Sequence, residues 1–213
     1  MNERAARKAI CRVGRQLGKR GLVHGTTGNI SVRTDDGFLC TPTGSVLGKL
    51  DPDDLSFLSL AGEHVSGLAP TKEHGLHRAM YEARPSAQAI VHTHSTHCVA
   101  VTLLPHVNHE DALPALTPYY IMRVGYAPVV PYFAPGDPEL AAAVGRYSVG
   151  RNVLLLAHHG PVIAGSSLDE ALATLEELEE NARLFLLVGH GRYRTLERSV
   201  VEELRARYPT ENA

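Results

Sequence analysis

"GNISVRTDDGFLCTPTGS" (residues 28–45) contains two short strand-like runs on either side of Asp35, Asp36 and Gly37. Apolar and β-branched runs separated by turn-forming residues are typical of a β-hairpin. The same pattern returns in "LSFLSLAGEHVSG" (residues 55–67), with Ala61 and Gly62 at its centre. The first third of the chain is therefore predicted to supply several antiparallel strands.

Helical patterns and further strands alternate along the rest of the chain. Apolar residues recur every three to four positions in the helical segments, and Ser-x-x-Glu capping patterns open the last two. The helices are predicted over 3–19, 72–85, 95–104 and 137–147, then after Ser167 with Glu170 and after Ser199 with Glu202. Strands are predicted over 87–93 and on both sides of the turn in 152–165. The order lacks the regular strand-helix-strand alternation of a doubly wound fold, so it favours a single α/β domain over residues 1–213, a three-layer α/β/α structure with a central, mainly antiparallel sheet.

Composition excludes several classes of partner. The chain has 213 residues, 44% of them hydrophobic, and a formal net charge of -2, which gives no general attraction to nucleic acid or to an acidic membrane surface. The charged opening residues contain no apolar signal core, and no run approaches the length of a membrane span. Three widely spaced cysteines indicate reduced thiols. We therefore expect a cytoplasmic protein with a small-molecule partner.

"AIVHTHSTHCVA" (residues 89–100) indicates a metal site. Side chains two apart in a strand point to the same side, so His92 and His94 project together at the strand end. His159 also follows an apolar strand and stands before Gly160, where the chain can turn sharply. Three imidazoles from two strand ends would leave one position of a tetrahedral metal open, as in catalytic zinc sites. The alternative is that they are ordinary histidines among the twelve of the chain; His97 is left out of the ligand set.

Glu73 and three polar segments are candidate parts of the same site. Glu73 opens a predicted helix, so it is either a first-turn glutamate stabilised by the helix dipole or a general acid/base beside the metal. Thr71 and Lys72 lie just before it, where helix N–H groups favour an anion. "TTGN" (residues 26–29) and "TPTGS" (residues 41–45) are further candidate walls of a phosphate pocket, although loops commonly have this composition.

The ordered set "TTGNISVR", "TPTGS", "PTKE", "HTHS" and "HHG" resembles the class II aldolase/adducin family from about residue 5 to residue 190. The resemblance implies a C4 homotetramer and a divalent metal, usually zinc or else another such as manganese. It implies His92, His94 and His159 as metal ligands and Glu73 as the acid/base. The implied phosphate-binding and substrate-binding residues are Gly28, Asn29, Thr43, Gly44, Thr71 and Lys72.

The resemblance also implies that a tyrosine from a neighbouring subunit completes the active site. In "TPYYIM" (residues 117–122) we assign this role to Tyr120, with Tyr119 as the alternative. His158, at a position where asparagine is common in the family, is a departure for which we have no explanation.

Within the family, segments such as "PTKEHGLHRAMYEARP" (residues 70–85) are most similar to decarboxylases of 3-oxo-tetronate 4-phosphate. Aldolases acting on fuculose phosphate typically have serine where Lys72 stands, and a lysine favours a substrate with an additional carboxylate. The alternatives are a fuculose-phosphate-type aldolase or pentulose-phosphate 4-epimerase, and a non-catalytic adducin-like scaffold. Lys72 could also be an ordinary exposed lysine at a helix start.

Overall fold

The computed structural model describes residues 2–189 and 193–209, which form one mixed β-sheet flanked by helices. Its eight strands within these residues are β1 (Asn29–Arg33), β2 (Gly37–Cys40), β3 (Ser56–Ser59), β4 (His64–Ser66), β5 (Ala89–His92), β6 (Val129–Val130), β7 (Val153–Leu156) and β8 (Gly160–Gly165). Their order across the sheet is β4-β3-β2-β1-β5-β8-β7-β6. Neighbouring strands are antiparallel except β6 and β7, which are parallel. The mainly antiparallel sheet is therefore confirmed.

Helices cover both faces of this sheet. In the described residues they are α1 (Glu3–Lys19), α2 (His74–Ala83), α3 (Thr96–Thr102), α4 (Pro118–Arg123), α5 (Pro138–Tyr147), α6 (Leu168–Val188) and α7 (Arg198–Arg207). Buried residues of α1, α3, α4 and α6 share one apolar core with one face of the sheet. Those of α2 and α5 form a second core on the opposite face. The three-layer α/β/α prediction is confirmed.

Strand β7 contributes alternate side chains to the two apolar cores. Val153 and Leu155 contribute to the first core, whereas Leu154 and Leu156 contribute to the second. A strand covered on both faces reads as a continuous apolar run, and full burial of each leucine contributes about 1.5–3 kcal/mol. The polar residues that follow β5 and β7 are thus attached to a rigid, buried framework.

Most of the predicted boundaries agree with the structure, but the last helix begins elsewhere. Ser199 was predicted to cap it, yet α7 begins at Arg198, and Glu202 instead accepts a 2.7 Å hydrogen bond from Arg198 Nε. The prediction was wrong because this i,i+4 ion pair uses the carboxylate that a capping box would require. The sequence analysis also missed the short elements α4 and β6.

The cysteines and the character of the helices were also considered in the sequence analysis. Cys11, Cys40 and Cys98 are free and buried, in agreement with the prediction of reduced thiols. Across residues 2–189 and 193–209, no helix combines the length and the apolar character needed to cross a membrane.

Candidate metal centre and active-site cleft

Three chain segments meet at one end of the sheet. β5 lies between β1 and β8, and its last residue, His92, pairs with Asn29 on one side and with Val162 on the other. His94 follows β5 directly, and His159 occupies the turn between β7 and β8. Glu73 is the residue that precedes α2. The sheet register therefore brings residues from distant parts of the sequence to one place.

The side chains of Glu73, His92, His94 and His159 form a compact group, the histidine–glutamate cluster. One potential ligand atom from each of the four lies within 4.8 Å of the others. His159 Nε2 is 3.3 Å from Glu73 Oε1 and 3.3 Å from His92 Nε2, and His92 Nε2 is 3.4 Å from Glu73 Oε2. The three imidazole rings have centroids 4.5 to 5.0 Å apart. The predicted convergence of the two histidine segments is therefore present.

Gly160 makes this close approach possible. Its φ is +142°, a conformation that residues with a β-carbon rarely adopt, and a β-carbon there would lie 2.2 Å from the carbonyl oxygen of Thr93. Thr93 lies between His92, the last residue of β5, and His94. The missing side chain at 160 thus lets the β7–β8 turn touch the backbone that carries His92 and His94, so that His159 faces them.

The environment keeps the imidazoles neutral. Burial, followed by repulsion from His94, lowers the pKa of His92 to about 3. Burial and then the neighbouring His92 lower the pKa of His159 to about 4, and burial also lowers the pKa of His94. His92 Nδ1 donates a 2.8 Å hydrogen bond to the carbonyl of Pro161, which leaves the Nε2 lone pair directed into the cluster. Neutral imidazole with one nitrogen fixed by a backbone carbonyl is the form that binds metals.

The cluster fits a divalent metal. Glu73 Oε1 is buried and, among the described residues, has no hydrogen-bond partner, which is costly unless a cation or another donor satisfies it. Three neutral imidazoles and one carboxylate match the ligand types of catalytic zinc. His97 lies outside the cluster, where its Nδ1 is 2.8 Å from Glu179 Oε1. Leaving His97 out of the ligand set therefore agrees with the geometry.

A cleft of about 210 Å³ opens directly onto the cluster. It is lined by Thr26, Thr27, Gly28, Asn29, Pro42, Thr43, Gly44, Thr71, Lys72, Glu73, His94, Pro135 and His159. Gly28 and Gly44 have φ of +79° and +69°, so the two loops turn sharply at the cleft. Every residue predicted to bind substrate thus borders the same cleft as Glu73 and two of the histidines.

Comparison with known proteins identifies this architecture. Residues 8–186 match the family model described as the class II aldolase and adducin N-terminal domain. The chain belongs to the class II aldolase/adducin family. A curated relative from Cupriavidus necator, named 3-oxo-tetronate 4-phosphate decarboxylase, is 47% identical over 86% of this chain and 85% of its own. The L-fuculose phosphate aldolase of Escherichia coli K12 is 38% identical over 80% of this chain and 78% of its own. The crystal structure of YgbL from Klebsiella pneumoniae covers 96% of this chain and 100% of its own, with 43% identity and a TM-score of 0.93.

The side chain of Asn29 contacts Glu73 in this class II aldolase-family site. Its Nδ2 donates a 2.8 Å hydrogen bond to Glu73 Oε2, and its Oδ1 contacts His77 Nε2. The amide therefore holds the carboxylate, and its oxygen is already engaged. Asn29 also borders the cleft, and its role in binding substrate stays a prediction.

The two tyrosines of α4 lie in opposite environments. Tyr120 is 1% exposed, and its hydroxyl is 3.4 Å from Asp111 Oδ1 and 3.5 Å from the carbonyl of Leu113. A side chain packed into the core of its own chain is unsuited to reach the active site of a neighbouring subunit, so the structure does not fit the choice of Tyr120. Tyr119 is 56% exposed. The alternative residue is the one available to a partner.

Four further residues near the cluster are His158, His77, Ser31 and Tyr81. His158 is exposed, with φ of +59°, and its ring lies against that of Tyr132; the structure gives no reason for a histidine there. Sequence reasoning missed His77, Ser31 and Tyr81, which continue the hydrogen bonds of Asn29. In the sequence, His77 and Tyr81 are four apart in a helical segment, and Ser31 is two residues after Asn29 in a strand. Only the fold shows that these two sets of polar side chains face each other.

Proposed function

We propose that the protein is a metal-dependent carboxy-lyase that converts 3-oxo-tetronate 4-phosphate to dihydroxyacetone phosphate and carbon dioxide. The observation that carries the proposal is that Lys72, Glu73, His94 and His159 border one small cleft with two sharply turning loops, with His92 beside them in the histidine–glutamate cluster. The names of the relatives support it, since decarboxylases of this substrate are 40 to 47% identical to the chain over at least 86% of its length.

The role proposed for the histidines is to hold a divalent metal, with zinc as our choice because of the ligand types. Bound by His92, His94 and His159, the metal would supply Lewis-acid stabilisation of the negative charge that develops on the substrate's ketone oxygen. The His92 hydrogen bond to Pro161 would keep that imidazole in the ligating tautomer.

Glu73 is proposed to move the proton that the reaction requires. The bond between the carboxylate carbon and C2 breaks, carbon dioxide leaves, and the electron pair stays on C2 next to the ketone. The Glu73 carboxyl then delivers a proton to C2, directly or through a water molecule, which completes dihydroxyacetone phosphate. Its position, 3.3 Å from His159 Nε2 and at the cleft wall, suits this task.

The loops and Lys72 are proposed to bind the two anionic ends of the substrate. Gly44, Thr43 and Thr71 would receive the phosphate through hydroxyls and exposed backbone N–H groups. The ammonium group of Lys72, next to Glu73 in the chain, would face the substrate carboxylate. Lys72 is exposed and borders the cleft, which is compatible with this role and also with an ordinary surface lysine.

The second candidate is an L-fuculose-phosphate-type aldolase or a pentulose-phosphate 4-epimerase. It is favoured by the 38% identity to L-fuculose phosphate aldolase and by chemistry, because aldol cleavage leaves the same kind of electron pair beside a ketone. The non-catalytic adducin-like alternative is disfavoured, since all four groups of the cluster are in place. Purified protein should be assayed with each substrate for carbon dioxide, aldehyde and epimer. Aldehyde without carbon dioxide would replace the first candidate by the second.

We further propose a homotetramer in which Tyr119 of a neighbouring chain completes each cleft. Its support is the exposure of Tyr119 on the first turn of α4. Light scattering after size-exclusion chromatography measures the assembly, and a monomer with full activity would contradict it.

A further inference from the structure

A line of hydrogen-bonded side chains, the α2–β1 chain, connects Glu73 to the interior of the protein. Glu73 directly precedes α2, and His77 and Tyr81 follow it at four-residue intervals on one face of that helix. Asn29 and Ser31 are two residues apart and share one face of β1. The order of contacts is Glu73, Asn29, His77, Ser31, Tyr81. His77 and Ser31 in the middle of this line are 0% exposed, so bulk solvent does not reach their side chains.

The α2–β1 chain has a direction. Asn29 turns its Nδ2 towards Glu73 Oε2, so its Oδ1 faces His77 Nε2, which must then carry the proton. His77 Nδ1 is left to accept from the Ser31 hydroxyl at 2.7 Å, and Ser31 Oγ accepts from the Tyr81 hydroxyl at 2.9 Å. Each donor then faces an acceptor. Every hydrogen bond in the line is donated in the direction that leads to Glu73.

The opposite tautomer of His77 would disturb Glu73. A proton on Nδ1 would leave Nε2 as an acceptor, and the Asn29 amide would have to turn its N–H groups towards His77. The amide oxygen would then face the Glu73 carboxylate, placing two acceptors against each other in a buried site. Burial lowers the pKa of His77 to about 3, which agrees with a neutral ring.

We infer that His77 is a positioning residue for the reaction: through Asn29 it anchors Oε2 of Glu73 and leaves Oε1 as the oxygen that exchanges the proton. The two oxygens differ accordingly, since Oε2 accepts from Asn29 whereas Oε1 is buried, 3.3 Å from His159 Nε2, and without a hydrogen bond among the described residues. The inference rests on the proposed acid/base role of Glu73, and it assigns a function to a buried histidine that binds neither metal nor substrate.

A matched pair of variants tests the inference. In His77→Gln the side-chain amide nitrogen can replace Nε2 and donate to Asn29, whereas the shorter His77→Asn reaches only the position of Nδ1, next to Ser31. We expect His77→Asn to lower kcat by about 10- to 100-fold, with KM changed less than about threefold and metal content retained. His77→Gln should recover kcat to within about fivefold of the wild type. Met80→Leu, a buried apolar change on the same helix, is the control for packing and should leave kcat unchanged.

Equal loss of kcat in the two His77 variants at equal thermal stability would overturn the inference, as would loss of metal in His77→Asn. Nitrogen-15 NMR of imidazole-labelled wild-type protein tests it without any substrate and without a variant that must fold well. The His77 resonances, assigned by their absence in His77→Gln, should show a neutral ring protonated at Nε2 from about pH 6 to about pH 9. A ring protonated at Nδ1, or at both nitrogens, would refute the direction of the α2–β1 chain. This result is independent of which substrate the enzyme uses, so it separates failure of the inference from failure of the proposed function.

Discussion

Gly160→Ala is the substitution that connects the geometry of the cluster to a measurable energy. The added β-carbon would lie 2.2 Å from the carbonyl oxygen of Thr93 and 3.1 Å from the Cα of His94. Both atoms belong to the backbone that carries two of the proposed ligands, so relief of the overlap must move the ligands as well. We expect a loss of stability and a loss of metal binding in the same variant.

The magnitude has two contributions. A φ of +142° is essentially restricted to glycine and costs another residue about 1–3 kcal/mol. Overlap with a packed backbone costs about 1–3 kcal/mol more, because it is relieved only by displacement of the segment. A total of about 4 kcal/mol corresponds to a decrease in Tm of about 8–16 °C for a chain of this size.

Gly150→Ala is the matched control. Gly150 also has positive φ, +70°, but a β-carbon there would meet no described atom within 4 Å. Only the backbone cost of about 1–2 kcal/mol remains, or about 2–8 °C in Tm. Thermal unfolding of the metal-free proteins by circular dichroism gives the difference, and zinc per chain after desalting gives the binding. Equal decreases in Tm together with full zinc retention in Gly160→Ala would refute the close-approach argument.

Changes in pH and substitutions at Lys72, Tyr119 and Tyr120 should also have measurable effects. The pKa values of His92 and His159 in the folded protein, about 3 and about 4, lie below the ordinary 6.5, so the unfolded state binds more protons as the pH falls below 6.5. The metal-free protein should therefore lose stability between pH 6.5 and pH 4, measured as a falling Tm; a constant Tm would contradict the buried neutral rings. Lys72→Met should lower kcat/KM for decarboxylation by about 10- to 100-fold, since a charged hydrogen bond contributes about 1.5–3 kcal/mol. Tyr119→Phe should reduce kcat with Tm unchanged, whereas Tyr120→Phe should lower Tm by removing a buried hydroxyl from Asp111 and leave kcat nearly unaffected.

Controls for these variants come from the same chain. Lys19→Met removes a basic residue at the end of α1, outside the residues that line the cleft, and should leave kcat/KM unchanged. If Lys72→Met leaves kcat/KM unchanged, as Lys19→Met should, then Lys72 is an ordinary surface lysine and the substrate carboxylate binds another residue. If Tyr120→Phe rather than Tyr119→Phe loses turnover, the assignment by exposure is wrong.

The sequence predicted those parts of the fold that depend on local chemistry. The β1–β2 hairpin follows from Asp35, Asp36 and Gly37, and the start of α6 follows from Ser167, whose hydroxyl accepts the 3.1 Å hydrogen bond from the Glu170 N–H. The pairing of His92 with His94 follows from the period of a strand, and the turn at His159 follows from Gly160. Each of these features is determined within a few residues, so one sequence is sufficient.

Other features depend on packing between distant elements. α4 was not predicted, so the helix phase that buries Tyr120 and exposes Tyr119 could not be assigned. The contacts of Asn29 with Glu73 and His77 were not predicted, because nothing in the local sequence indicates that β1 lies against α2. The partners of Asn29 and the orientation of the two tyrosines therefore need the structure.

We propose above that three histidines and Glu73 form one metal-dependent proton-transfer site for decarboxylation. The most direct measurement is carbon dioxide and dihydroxyacetone phosphate released from 3-oxo-tetronate 4-phosphate by wild-type protein before chelation, after chelation and after zinc is restored. We expect equal amounts of both products, loss of both on chelation, and recovery with zinc in the wild type but not in Glu73→Gln, which should still bind the metal. Full activity in the chelated protein, or in Glu73→Gln, would contradict the account.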